Sequence, residues 1–178
     1  QTAAVNAGGF GPGTVDYSSN VETWDGTNWT NAPNSLPATT AEARAFGTAT
    51  AGVVCGGITP TRVATTYEWD GTNWTASGNM NVAKNSMYAG MGTQTDGLIS
   101  GGNLPPTTTG TENYDGSTWS TRPNMSTARQ QGSGLGTNST ASAGLAATGY
   151  TGTAATAATE EFTPETIAAG PAKTLTTS

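Results

Sequence analysis

Few side chains in this sequence can do acid–base or nucleophilic work. There is no His and a single Cys, Cys55, which removes Ser-His-Asp and Cys-His relays, His-ligated metal centres and any disulfide within the chain. Carboxylates remain, and they fall close together as Glu22 with Asp25, Glu68 with Asp70, Glu112 with Asp115, and Glu160 with Glu161. Two carboxyls facing one cavity, one of them pushed toward neutrality by burial, would suit a glycosidase-type acid and base. Three of the four pairs instead recur at one place in a repeated segment, which marks them as turn and strand-edge residues. The expectation is therefore no enzyme: no catalytic residue, no cofactor and no metal. Cys55, beside Val53 and Val54, reads as a buried, inert thiol. Glycine-rich runs such as Gly132-Ser133-Gly134-Leu135-Gly136 lack the Lys-Ser/Thr and the following helix of a phosphate loop.

The second chemistry on offer is aromatic stacking. Trp24, Trp69 and Tyr114 share one column of the repeat with Phe162, and Trp29, Trp74 and Trp119 share another. Aromatic faces bind the apolar side of a pyranose ring, while Asn and Thr accept and donate hydrogen bonds at its edge. Trp24, Trp69, Tyr114, Phe10 and Asn103 are accordingly the candidate ligand or receptor contacts. Phe10 and Asn103 earn their place by opening loops 10–19 and 103–110, which, like 58–63, differ between repeats while the scaffold does not. Trp29, Trp74 and Trp119 are expected to pack between repeats.

The elements that position these residues follow from self-similarity. Trp24-Asp25-Gly26-Thr27-Asn28-Trp29-Thr30 recurs letter for letter as Trp69-Asp70-Gly71-Thr72-Asn73-Trp74-Thr75, and Tyr114-Asp115-Gly116-Ser117-Thr118-Trp119-Ser120 is a third copy. Apolar runs ending in Gly-Gly precede each copy, at Gly8-Gly9, Gly56-Gly57 and Gly101-Gly102, with Thr148-Gly149 in a fourth. Units 1–48, 49–93, 94–137 and 138–178 fill all 178 residues as one domain. Within the second unit, segments 45–50, 52–56, 64–69 and 73–76 read as strands, with Asp-Gly-Thr-Asn as a four-residue hairpin loop. Inner strands 44–50, 88–93 and 133–137 each carry Gly-Thr. Nothing equivalent precedes the first unit, so a longer propeller or a strand from elsewhere is expected to complete it. Thr is abundant, at 36 residues, Leu and Ile are scarce, and helix-forming runs are missing, so the fold is expected to be all-β. Four strands in about 45 residues is the size of a propeller blade.

The Gly-Gly doublets, each followed by the aromatic at Trp24, Trp69 or Tyr114 and a Trp five residues later, resemble the kelch repeat. Units reading Gly92-Thr93-Gln94-Thr95, then Gly101-Gly102, then Thr111-Glu112-Asn113-Tyr114-Asp115-Gly116-Ser117-Thr118-Trp119 are similar to kelch-like arrays of marine bacteriophage virion and tail-fibre proteins. The fourth unit departs from the pattern: Phe162 stands for the first aromatic, Thr163-Pro164-Glu165 for the Asp-Gly turn and Ile167 for Trp. The resemblance implies a β-propeller of four kelch-like blades, the first without its inner strand, as part of a larger propeller. It further implies a non-enzymatic virion structural or tail-fibre protein at the virion surface, acting in assembly and host attachment. Its partners would be other virion proteins, copies of itself, or a host-surface glycan. An extracellular carbohydrate-binding propeller of cellular origin is the alternative. Copper radical oxidases also use kelch-like blades, but their copper takes His ligands. With 6 Lys+Arg against 12 Asp+Glu, and a net charge of −6, nucleic acid is an unsuitable partner. No apolar run reaches the ~20 residues of a membrane helix.

Overall fold

The computed structural model describes residues 3–11, 13, 16–136 and 144–163. Among them there is no helix, and the chain is all-β. The first sheet is β1 (Ala4–Ala7), β2 (Val21–Trp24) and β3 (Trp29–Asn31). The second runs β4 (Arg44–Thr48), β5 (Ala51–Cys55), β8 (Thr66–Trp69) and β9 (Trp74–Ser77). A two-stranded ribbon, β6 (Ile58–Thr59) with β7 (Thr61–Arg62), interrupts it in sequence. The third is β10 (Ala89–Thr93), β11 (Asp96–Ser100), β12 (Thr111–Tyr114) and β13 (Trp119–Arg122). The fourth is β14 (Ser133–Gly136), β15 (Gly144–Ala147) and β16 (Thr159–Phe162). Every sheet is an antiparallel meander. The expected strands of the second unit are found within a residue or two, while Thr137, Pro164, Glu165 and Ile167 lie outside the described residues.

Turn chemistry fixes the hairpins. Asp25, Asp70 and Asp115 each use one carboxylate oxygen to accept two backbone N–H groups of the loop: those of Thr27 and Asn28, Thr72 and Asn73, and Ser117 and Thr118, at 2.6–2.9 Å. The Gly that follows sits at φ +96° to +102°, where an L side chain is strained. The register then places Trp24 opposite Trp29, Trp69 opposite Trp74, and Tyr114 opposite Trp119, so each loop has four residues as expected.

The sheets follow one another in chain order, with β10 lying beside both β4 and β14. Apolar side chains fill the layers between them. Val21, Leu36 and Val54 lie between the first and second sheets; Phe46, Val53, Cys55, Ile99, Tyr114 and Trp119 between the second and third; Met91, Leu98 and Ala146 between the third and fourth. Glycine makes these layers close. The backbone positions opposite the first aromatic column are Gly52, Gly97 and Gly144. A methyl at Gly97 would run into the Phe46 ring, and one at Gly144 into Met91, so an apolar residue of one inner strand seats on the bare backbone of the next sheet.

Two ion pairs with buried cations bridge linker and sheet. Lys84, ahead of β10, places Nζ 3.2 Å from Glu112 Oε1 on β12, with side chains 1% and 4% exposed. Arg129, ahead of β14, does the same for Glu160 on β16, at 2.5 Å, with its guanidinium carbon 5.0 Å from the centre of the Tyr88 ring. Burial alone would raise the Glu160 carboxyl. The hydrogen bonds from Ser126, the charge of Arg129 and the Thr127 N–H together hold it below its ordinary value.

Candidate functional site

The loops that follow the glycine doublets form one continuous rim. In each, the residue after the doublet closes a small hairpin: Phe10 bridges Tyr17, Ile58 pairs with Arg62, Asn103 bridges Thr107, and Tyr150 bridges Ala155. The glycines permit it. Gly56 and Gly101 are left-handed at φ +61° and +62°, and a side chain on either would collide with the linker carbonyl of Lys84 or Arg129. Three of the loops are tied to the linker that leads into their own sheet, through Ile58 with Ala41, Asn103 with Asn85, and Tyr150 with Gln130.

Cross-links also join loop to loop. Arg62 Nε donates to Asn103 O at 3.0 Å, and Thr107 Oγ1 donates to Thr151 O at 2.9 Å. The Glu42 carboxylate accepts from Asn85 Nδ2 and from the Ser86 hydroxyl. Large apolar groups break this polar surface at intervals. Phe10 is 56% exposed with Tyr17 beside it at 5.9 Å, and Leu104 and Tyr150 are also exposed. Aromatic faces set among Thr and Asn, with few charges, suit a neutral polyhydroxyl ligand better than an ionic one.

The expected contact residues divide. Phe10 is exposed on this rim, and Asn103 is half-buried in it. Trp69 and Tyr114 do not belong there, being 1% and 0% exposed. Trp69 is held by its indole N–H, which donates to Ala49 O at 3.0 Å within its own sheet. The Tyr114 hydroxyl reaches across to Glu68 and Ser77 of the preceding sheet. Burial, and then that bond to Glu68, push the Tyr114 phenol up to about 12. Trp24 is half-buried against Trp29 at the hairpin. The second aromatic column fits expectation only in part. Trp119 is buried, and Trp74 packs with the layer containing Val21, but Trp29 is 49% exposed because the described residues place no sheet against that face.

The carboxylate pairs are absorbed in structure. The three turn aspartates are fully exposed and spend an oxygen on loop N–H groups, which lowers their carboxyls, Asp115 to about 2. Glu112 and Glu160 face buried cations, and Glu68 accepts from Tyr114. A groove of about 780 Å³ between β1 and β4 is lined by no carboxylate. Sequence reasoning missed the Lys84 and Arg129 partners. The signal was present, because a cation in the linker and a glutamate in the sheet it leads into occur together for the third and fourth sheets and are replaced together, by Thr40 and Tyr67, for the second.

No family model matches the chain, and no curated protein matches its sequence. Among solved structures, that of YjhT is similar, with a TM-score of 0.71 and 16% identity over 85% of this chain and 51% of YjhT. The chain thus spans about half the length of that protein, and the likeness is one of fold. No helix among the described residues is long and apolar enough to cross a membrane.

Proposed function

We propose that the four sheets are kelch-like blades of a β-propeller larger than four, and that the chain is a non-enzymatic virion structural or tail-fibre component serving assembly and host-surface contact. The rim carries this reading. Hairpins of differing sequence stand side by side on one rigid, repeated scaffold, cross-linked by Arg62 to Asn103 and Thr107 to Thr151. The open face of the first sheet, with Trp29 exposed, supports a further blade on that side. The virion assignment draws on the resemblance of the repeat to phage arrays, and an acidic surface with few lysines suits a protein held away from nucleic acid. Phe10, Tyr17 and Tyr150 favour a glycan as what the rim meets, a contact that a cellular carbohydrate-binding propeller would share. Immunogold labelling of purified particles with antibody to this chain separates the two. Label on the outside of the particle is expected, whereas absence of the chain from particles, with glycan binding retained, overturns the virion role and leaves the cellular one.

A further inference from the structure

Three linkers end in a backbone conformation that an L side chain adopts at a cost. Positive φ is otherwise left to Gly, at thirteen described positions, and only four described residues with a side chain share it. Thr148 is one, and it stands where the other units have the first Gly of a doublet. The remaining three occupy a single place in the repeat: Glu42 (φ +53°), Ser86 (φ +49°) and Gln131 (φ +54°) each directly follow the linker residue that bridges a rim loop, Ala41, Asn85 or Gln130. Gly would fit all three without strain, yet all three carry polar side chains.

The linkers lie side by side there. Ser86 N–H donates to Glu42 O at 2.9 Å, and Gln131 N–H donates to Ser86 O at 3.3 Å, so the three residues form one row along the rim. Glu42 and Gln131 are exposed, and Ser86 is half-buried. The carboxylate at the head of the row is fixed. Its Oε2 accepts from Asn85 Nδ2 at 2.5 Å and from the Ser86 hydroxyl, while Oε1 has no partner among the described residues. Asn85, 3% exposed, turns its amide N–H2 to Glu42 and leaves its own Oδ1 buried without a partner. The Gln131 side chain makes no hydrogen bond among the described residues, so no tie within the fold accounts for keeping it on a left-handed backbone. Strain held at equivalent places, with side chains that differ on a backbone that does not, is characteristic of a surface that binds.

We infer that Glu42, Ser86 and Gln131 are the row that reads the hydroxyls of a neutral sugar, and that they set specificity within the glycan contact proposed above, on which this inference rests. The free Glu42 Oε1 accepts from one hydroxyl in a charge-assisted bond, and the Gln131 amide donates and accepts at another. Because Asn85 and Ser86 already orient the carboxylate, little side-chain freedom is lost on binding. Phe10 and Tyr150 supply stacking area, and the row distinguishes the hydroxyl pattern. An acidic sugar would bring like charge to Glu42, so the row selects a neutral one.

The test titrates the intact chain with panels of neutral and acidic oligosaccharides, beside Gln131→Gly, Glu42→Gln and the Phe10→Ala/Tyr150→Ala variant, and follows the urea midpoint of each. Glu42→Gln keeps an acceptor for Asn85 and Ser86 but puts an N–H2 group in place of the free oxygen. A neutral oligosaccharide should bind the native chain, and bind each single variant at least fivefold more weakly, with the Gln131→Gly midpoint unchanged or raised because Gly is at ease at φ +54°. Binding that is unchanged in both single variants but lost with the two aromatics overturns this inference and leaves the glycan reading in place. Tighter binding of acidic oligosaccharides also overturns it, as does a Gln131→Gly midpoint that falls along with its binding, since the side chain would then serve the fold. No binding of any oligosaccharide overturns it together with the glycan reading.

Discussion

Replacing Lys84 by Met should expose how the third sheet is held to its linker. The lysine and Glu112 are both nearly sealed from water, 3.2 Å apart, and Glu112 also accepts the Asn81 N–H at 2.7 Å. Lys84 Nζ donates to Gly110 O at 3.3 Å, so the contact with Glu112 is an ion pair without hydrogen-bond alignment. Removing one partner of a buried pair costs about 3–5 kcal/mol, because the other charge stays buried alone, and the imperfect alignment argues for the lower end, about 3. Glu112→Gln keeps the acceptor for Asn81 and should cost about 2 kcal/mol. If the residues acted independently, the double variant would lose about 5. With no charge left to strand, it should lose only about 2, a coupling of roughly 3 kcal/mol. Urea unfolding followed by Trp fluorescence reads this directly. At a slope of about 2 kcal/mol/M, the Lys84→Met midpoint falls by about 1.5 M and the double variant's by only about 1 M, against about 2.5 M if the losses added. Additive losses, or a Lys84→Met cost within about 0.5 kcal/mol, would refute the claim that the pair is a buried tie.

Other expectations follow from single contacts. The Trp119 indole N–H donates to Thr66 Oγ1 at 3.0 Å, while Trp74, one sheet earlier, faces Val21 in that column and has an unpartnered indole N–H. Val21→Thr should therefore be neutral within about 0.5 kcal/mol, while Val53→Thr, with no waiting donor, should cost about 1–3 kcal/mol in the same assay. Asp115, at about 2 when folded and near 4 unfolded, contributes stability that is complete above about pH 4 and is lost as pH falls toward 2. Asp115→Asn should flatten the acid limb of the stability curve across that window. Cys55, 1% exposed and pushed by burial up to about 12, should resist a thiol reagent at pH 8 in the native state and react fully in urea; rapid native reaction would contradict its place between the second and third sheets.

Local chemistry is what the sequence carried most plainly. The three turn aspartates, the Gly after each and the alternating runs beside them place hairpins to within a residue or two, because an Asx-type loop and a positive φ are decided by neighbours in the chain. Which aromatic column faces inward is a different matter. Trp69 and Tyr114 look as exposed as Trp24 does in a one-dimensional reading, and Trp29 as buried as Trp119, since strand alternation says that two residues share a face but not which face meets another sheet. Packing decides it, through Phe46 reaching over Gly97 and Tyr114 reaching back to Glu68. The rim was partly legible, because loops 10–19 and 103–110 stand out by differing between repeats. Its cross-links were not, because Arg62 and Asn103 are joined through a backbone carbonyl that leaves no residue-type signature.

The central claim is that the rim recognises and does not catalyse. The direct measurement is titration of the native chain against host-surface polysaccharides and an oligosaccharide panel, beside a Phe10→Ala/Tyr150→Ala variant. Saturable binding, weakened at least tenfold in the variant and with no change in the mass of the bound sugar, is the result this account predicts. Turnover of any oligosaccharide, or binding that survives loss of both aromatic faces, would contradict it.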